Sequence, residues 1–160
     1  MEPFLIRPLG LSDLPRCGQV IRESFSTVAK GFGWTSETDP GFTAFVTDET
    51  LLSRWNENYY PYGLFVGEDL VGFVSLLDKT DGVYEMCHLA VLEKWRHFGF
   101  GKALVDLCKE EARKLCGSKI VISIVKENTL VRAWYIDNGF VPVETRKFDH
   151  LPFTVEYMEW

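Results

Sequence analysis

One segment, residues 83–125, constrains the fold of this chain more than any other. Residues 83–91 read as a strand, and residues 100–116 as an amphipathic helix that turns Leu104, Leu107, Cys108 and Ala112 to one side, with Gly117 beyond as its stop. The next stretch, Lys119-Ile120-Val121-Ile122-Ser123-Ile124-Val125, is almost continuously apolar, as expected of a strand covered on both faces. Strand, helix, strand in that order predicts a parallel pair joined by a right-handed crossover. The expected class is mixed α/β.

The flanking sequence fits round this unit. Residues 4–8 form a short strand, and Ser12-Asp13 offers an N-cap to a helix presenting Leu14, Cys17, Ile21, Phe25 and Val28 until Gly31 and Gly33 stop it. An aromatic, glycine-bearing loop with Phe32, Trp34 and Phe42 leads to a second helix from about Asp48, with Leu51, Leu52 and Trp55 on one side. Residues 63–66, a Gly67-Glu68-Asp69 turn and residues 70–77 read as a β-hairpin. A helix over 129–138 closes at Gly139, and two terminal strands follow over 140–148 and 153–160. There is no internal repeat, linker or run of like charge, so 1–160 is expected to be a single domain.

Charge and cysteine usage exclude several function classes. A net charge of −6 matches a nucleic-acid backbone poorly, because such binding needs clustered Lys and Arg. No run approaches the roughly 20 apolar residues of a membrane helix. The start, Met1-Glu2-Pro3-Phe4, lacks the pattern of a signal peptide, so a cytoplasmic location is expected. Cys17, Cys87, Cys108 and Cys116 show no metal-ligand spacing and read as reduced, apolar thiols; no metal is expected.

Chemistry concentrates where the strand ending Leu89-Ala90-Val91 meets the helix: Arg96-His97-Phe98-Gly99-Phe100-Gly101-Lys102. Two glycines there let successive N–H groups and the helix dipole converge on an anion such as a diphosphate. The P-loop pattern is absent, and Leu104 stands where a dinucleotide fingerprint needs its third glycine. On spacing alone, a tight turn and an anion cradle fit equally well.

Arg96-x-x-Gly99-x-Gly101 after that strand end resembles the acyl-CoA signature of the GNAT superfamily of N-acetyltransferases. Asn128, then Trp134-Tyr135 and Gly139-Phe140, resembles the family's second signature; Glu93 departs from it, standing where many members carry proline. The resemblance implies a mainly antiparallel sheet whose central parallel pair is splayed to bind CoA, with helices on both faces. It implies that backbone groups of Leu89, Ala90 and Val91 pair with the pantetheine arm and that the turn from Arg96 to Lys102 holds the diphosphate, with Arg96 and Lys102 adding charge at its rim. Asn128 would bond the pantetheine, and Tyr135 would sit near the sulfur.

Acetyl transfer to an amine needs a neutral amine, a stabilised oxyanion and a proton for the departing thiolate. Tyr135 is the expected proton donor, with Trp134 packing beside it; a core tyrosine is the alternative. Glu85, on an apolar strand, is the candidate base, against a salt-bridged or positioning carboxylate or a base that is ordered water. His88 reads as a core histidine on the strand face opposite Glu85, and Cys87 beside it cannot pair with it as a nucleophile. Phe32, Trp34, Tyr62 and Glu85 are the acceptor-side candidates, with core packing or a dimer interface as the alternative for the aromatics, and His150 reads as solvent-facing or as a further substrate contact; aromatics with net acidity suit a cationic or partly apolar amine. The expectation is an acetyl-CoA-dependent N-acetyltransferase acting on a small-molecule or peptide amine, as monomer or homodimer. The alternative is a non-catalytic acyl-CoA-binding or sensing module.

Overall fold

Eleven regular elements build the chain in the computed structural model, which describes residues 3–160. They are β1 (Leu5–Pro8), α1 (Leu14–Phe32), α2 (Asp48–Ser53), β2 (Tyr59–Val66), β3 (Asp69–Asp78), β4 (Val83–Val91), α3 (Phe100–Lys114), β5 (Lys119–Val125), α4 (Thr129–Asp137), β6 (Val141–Lys147) and β7 (Thr154–Glu159). The expectation drawn from Met1-Glu2 lies outside the described residues. No helix among the described residues is long and apolar enough to cross a membrane.

The strands form one seven-stranded sheet in the order β1-β2-β3-β4-β5-β7-β6. Every pairing is antiparallel except β4 with β5, where Val83 faces Lys119 and Glu85 faces Val121. This is the parallel pair that the continuous apolar run predicted. β7 slots between β5 and β6, because β5 needs a partner along its outer edge and the terminal strand supplies one from Val121↔Glu159 to Val125↔Val155.

Helices cover both faces. Cys17 and Ile21 of α1 and Leu51 of α2 pack with Phe65 and Phe73 on one side. Leu104, Val105 and Cys108 of α3 and Tyr135 of α4 pack with Leu76, Met86, Ile120 and Ile122 on the other. Burying each such large apolar side chain contributes about 1.5–3 kcal/mol relative to leaving it in water, so both faces anchor the sheet.

Candidate active site

The sheet opens where the parallel pairing stops. Beyond Glu85↔Val121, β4 and β5 share no further partners, while β5 stays bonded to β7 and β4 to β3. Two features of β4 widen the gap. Ser75 pairs with Cys87 and Phe73 with Ala90, so His88 and Leu89 together stand opposite Val74 in a β-bulge, and His88 takes φ +55°. A bulge bends its strand and re-aims side chains, and here it breaks the alternation that the sequence reading assumed.

Between the diverging strands lies a cavity of about 780 Å³. Its walls include Met86, His88, Leu89, Ala90 and Val91 of β4 and Ile122 to Val125 of β5. One end reaches the turn into α3. There His97 (φ +67°) and Gly99 (φ +83°) fold the chain tightly, and Gly99 caps the helix with no side-chain bond. The first bond onto this turn is Ala103 N–H to Gly99 O at 3.0 Å. The N–H groups from His97 to Lys102 have no partner among the described residues, which leaves an unfilled row of donors at the positive end of the helix.

Asn128 caps α4 through a long 3.5 Å contact from Val131 N–H to its Oδ1, and the residue lines the cavity. Tyr135 lines it too, buried, with its ring edge-on to Phe140 at 5.5 Å and to Trp134 at 5.1 Å. Burial pushes its phenol well above the usual tyrosine range. The helix carrying these side chains is pinned to β7 by Arg132 and the buried Glu156, whose Nε···Oε1 distance is 2.5 Å, and by Thr154 N–H to Glu127 Oε1 at 2.9 Å.

Several sequence expectations are corrected. Arg96 lines the cavity but is not free at its rim: its Nε donates to Val91 O at 3.0 Å, Nη1 to Thr27 Oγ1 at 3.1 Å and Nη2 to Ser24 O at 2.9 Å, so the guanidinium ties the turn to α1. Lys102 is drawn to Asp106 one helical turn on, at 2.5 Å. Glu85 is half-buried and outside the cavity lining, because on the alternating part of β4 Tyr84 and Met86 go to the α3-side core and Glu85 to the other face. His88 does line the cavity; its Nε2 lies 3.4 Å from Arg54 Nη1, its buried Nδ1 has no partner, and burial pulls its pKa down to about 4. Cys87 is outside the lining, and burial pushes its thiol up to about 12, which keeps it inert.

Trp134 is both packing and wall: it lines the cavity and lies over α3, where a Cβ on Gly101 would come within 3.4 Å of its ring. Tyr62 is not on the acceptor side but buried in the α3-side core, which raises its phenol strongly. Phe32 is exposed and stacks on Trp34 at 4.7 Å. Trp34 stands behind the wall, 5.0 Å from Phe42 and from Phe153, which do line it. His150 is exposed, while the next residue, Leu151, reaches the lining. Sequence reasoning missed Ser24, Phe25 and Phe153 as wall residues; the apolar stripe of α1 carried the only signal for Phe25. Among the described residues no cluster of His, Cys, Asp and Glu could hold a metal ion.

Comparison with known proteins agrees with this geometry. The fold resembles the ribosomal-protein-S18-alanine N-acetyltransferase of Escherichia coli, with a TM-score of 0.77 and 17% identity over 98% of this chain and 92% of that one. It equally resembles the PaiA N-acetyltransferase of Thermoplasma acidophilum solved in complex with coenzyme A: TM-score 0.77, 22% identity, 96% and 98% covered. An acetyltransferase of Thermus thermophilus aligns with a TM-score of 0.73 at 14% identity, covering 98% and 96%. Among curated protein sequences none matches. Residues 28–140 match the profile of the acetyltransferase (GNAT) family, a span holding the splayed strands, the donor-lined turn and Tyr135, and the chain belongs to that family.

Proposed function

We propose that the protein transfers an acetyl group from acetyl-CoA to a primary amine of a small molecule or peptide, with both substrates in the cleft together. The observation that carries this reading is the continuity of one cavity from the unfilled N–H donors at the start of α3 to the buried phenol of Tyr135. The cradle fits a diphosphate: it offers backbone donors and a helix N-terminus, with no acidic side chain in the lining to oppose an anion. When bound there, acetyl-CoA supplies the activated thioester.

The chain's own residues would do the rest. N–H groups from His97 to Lys102 bind the diphosphate, the backbone of Leu89, Ala90 and Val91 is open to an amide-bearing arm on the side β5 has left, and Asn128 offers its Nδ2. Tyr135 holds a proton at Oη, kept there by burial, for a leaving thiolate. With Glu85 outside the lining, the side chains of the cleft that can accept a proton are the imidazoles of His88 and His97. An amine panel with acetyl-CoA and thiol release as readout tests this reading. Turnover with at least one primary amine is expected, and tight acetyl-CoA binding without transfer to any would instead make the protein an acyl-CoA-binding module.

A further inference from the structure

The cavity wall has two unlike parts. Besides the donor-lined turn, it includes Phe25 and Val28 of α1, Phe42, and Leu151 and Phe153 on the approach to β7. The rings touch one another: Phe25 to Phe42 at 6.1 Å, Phe42 to Phe153 at 6.2 Å, with Trp34 behind both at 5.0 Å. Rings this close make a continuous apolar surface.

The second observation concerns charge. The chain carries 23 Asp and Glu, yet the cavity lining contains neither. Its ionisable side chains are Arg96, His97 and Lys102 at the turn, and His88 and Tyr135 elsewhere in the wall. A ligand with a second positive charge would therefore leave water without meeting an opposite charge, which is costly for any ion. An aromatic body loses nothing in the same place and gains by leaving water.

We propose that the amine acceptor is a primary monoamine carried on an aromatic or comparably bulky apolar group, seated against Phe25, Phe42 and Phe153. This inference rests on the acetyl-transfer reading and names its substrate class.

The test uses the full chain with acetyl-CoA and four acceptors: phenethylamine, putrescine, spermidine and alanyl-alaninamide. The expected kcat/KM for phenethylamine exceeds each of the others by at least about tenfold, the scale on which apolar pockets discriminate. Phe42→Ala and Phe153→Ala should raise its KM more than they lower kcat. Preference for a polyamine or for the dipeptide overturns the inference and leaves acetyl transfer standing. If no amine releases thiol, acetyl transfer fails, and binding decides the inference. In CoA-saturated protein, a change in tryptophan emission on adding phenethylamine that Trp34→Phe abolishes supports it, and no change at millimolar amine overturns it.

Discussion

Tyr135 and His88 show burial, the largest cause in each case, shifting two titratable groups of one cleft in opposite directions. Burial disfavours the charged form of each, so the phenol keeps its proton and the imidazole stays without one. Tyr135→Phe removes the proton and little else; turnover is expected to fall roughly ten- to a thousand-fold with acetyl-CoA affinity unchanged, read by steady-state kinetics beside calorimetric titration. His88 adds a pH signature to stability. Its pKa drops from 6.5 unfolded to about 4 folded, so the unfolded chain binds the proton first and stability present above pH 6.5 is lost as pH falls toward 4. The loss is up to about 3 kcal/mol, and His88→Phe should flatten that part of the curve in denaturant titrations run across the window relative to wild type. That Asn128 and Tyr135 line one cavity was legible because their motif is local. The place of His88 was legible in part: alternation sets it opposite Glu85, and it lines the cavity that Glu85 does not, but the bulge beside it is a property of the β3–β4 pairing with no local signal.

Elements follow the same division. The limits of β4 and β5 agree with the pattern residue for residue, since β-branched apolar runs have one stable use in a covered sheet. α1 runs through Gly31 to end at Phe32, with Gly33 at φ +76° as the αL stop, so only the second of the two expected breakers acts. β2 begins at Tyr59 rather than at Gly63. Pro61 disguises its start, but β1 pairs no further along β2 than Tyr62, and no neighbour there needs the N–H that proline lacks. That β7 lies between β5 and β6 is a long-range choice without a local signal. At the turn into α3 the two glycines part company. Gly99 needs its left-handed φ, whereas a Cβ on Gly101 meets only ordinary contact with Trp134. Gly99→Val is expected to weaken acetyl-CoA binding at least about tenfold while circular dichroism stays native, and Gly101→Ala to cost far less. Wild-type affinity for a folded Gly99→Val would place the diphosphate elsewhere.

Across the whole molecule, the two helical layers are coupled through the sheet by a side chain from neither. Arg96 sits on the turn into α3 yet bonds Ser24 and Thr27 of α1, so the donor-lined turn and the apolar wall share one guanidinium. Ligands at the turn and at the wall are therefore expected to answer to each other by thermodynamic linkage. Whatever factor acetyl-CoA adds to the affinity for amine, amine must add to the affinity for acetyl-CoA, within the roughly 5- to 150-fold range such couplings span. Arg96→Lys keeps the charge but gives up the planar fork that reaches three acceptors at once. Paired titrations, each ligand with and without CoA or a non-reacting amine, should show two equal factors in the wild type and both near unity in the variant. Two equal factors above unity would mean that the cleft favours joint occupancy without any lid, so that a bound acetyl thioester would spend little time exposed to water alone.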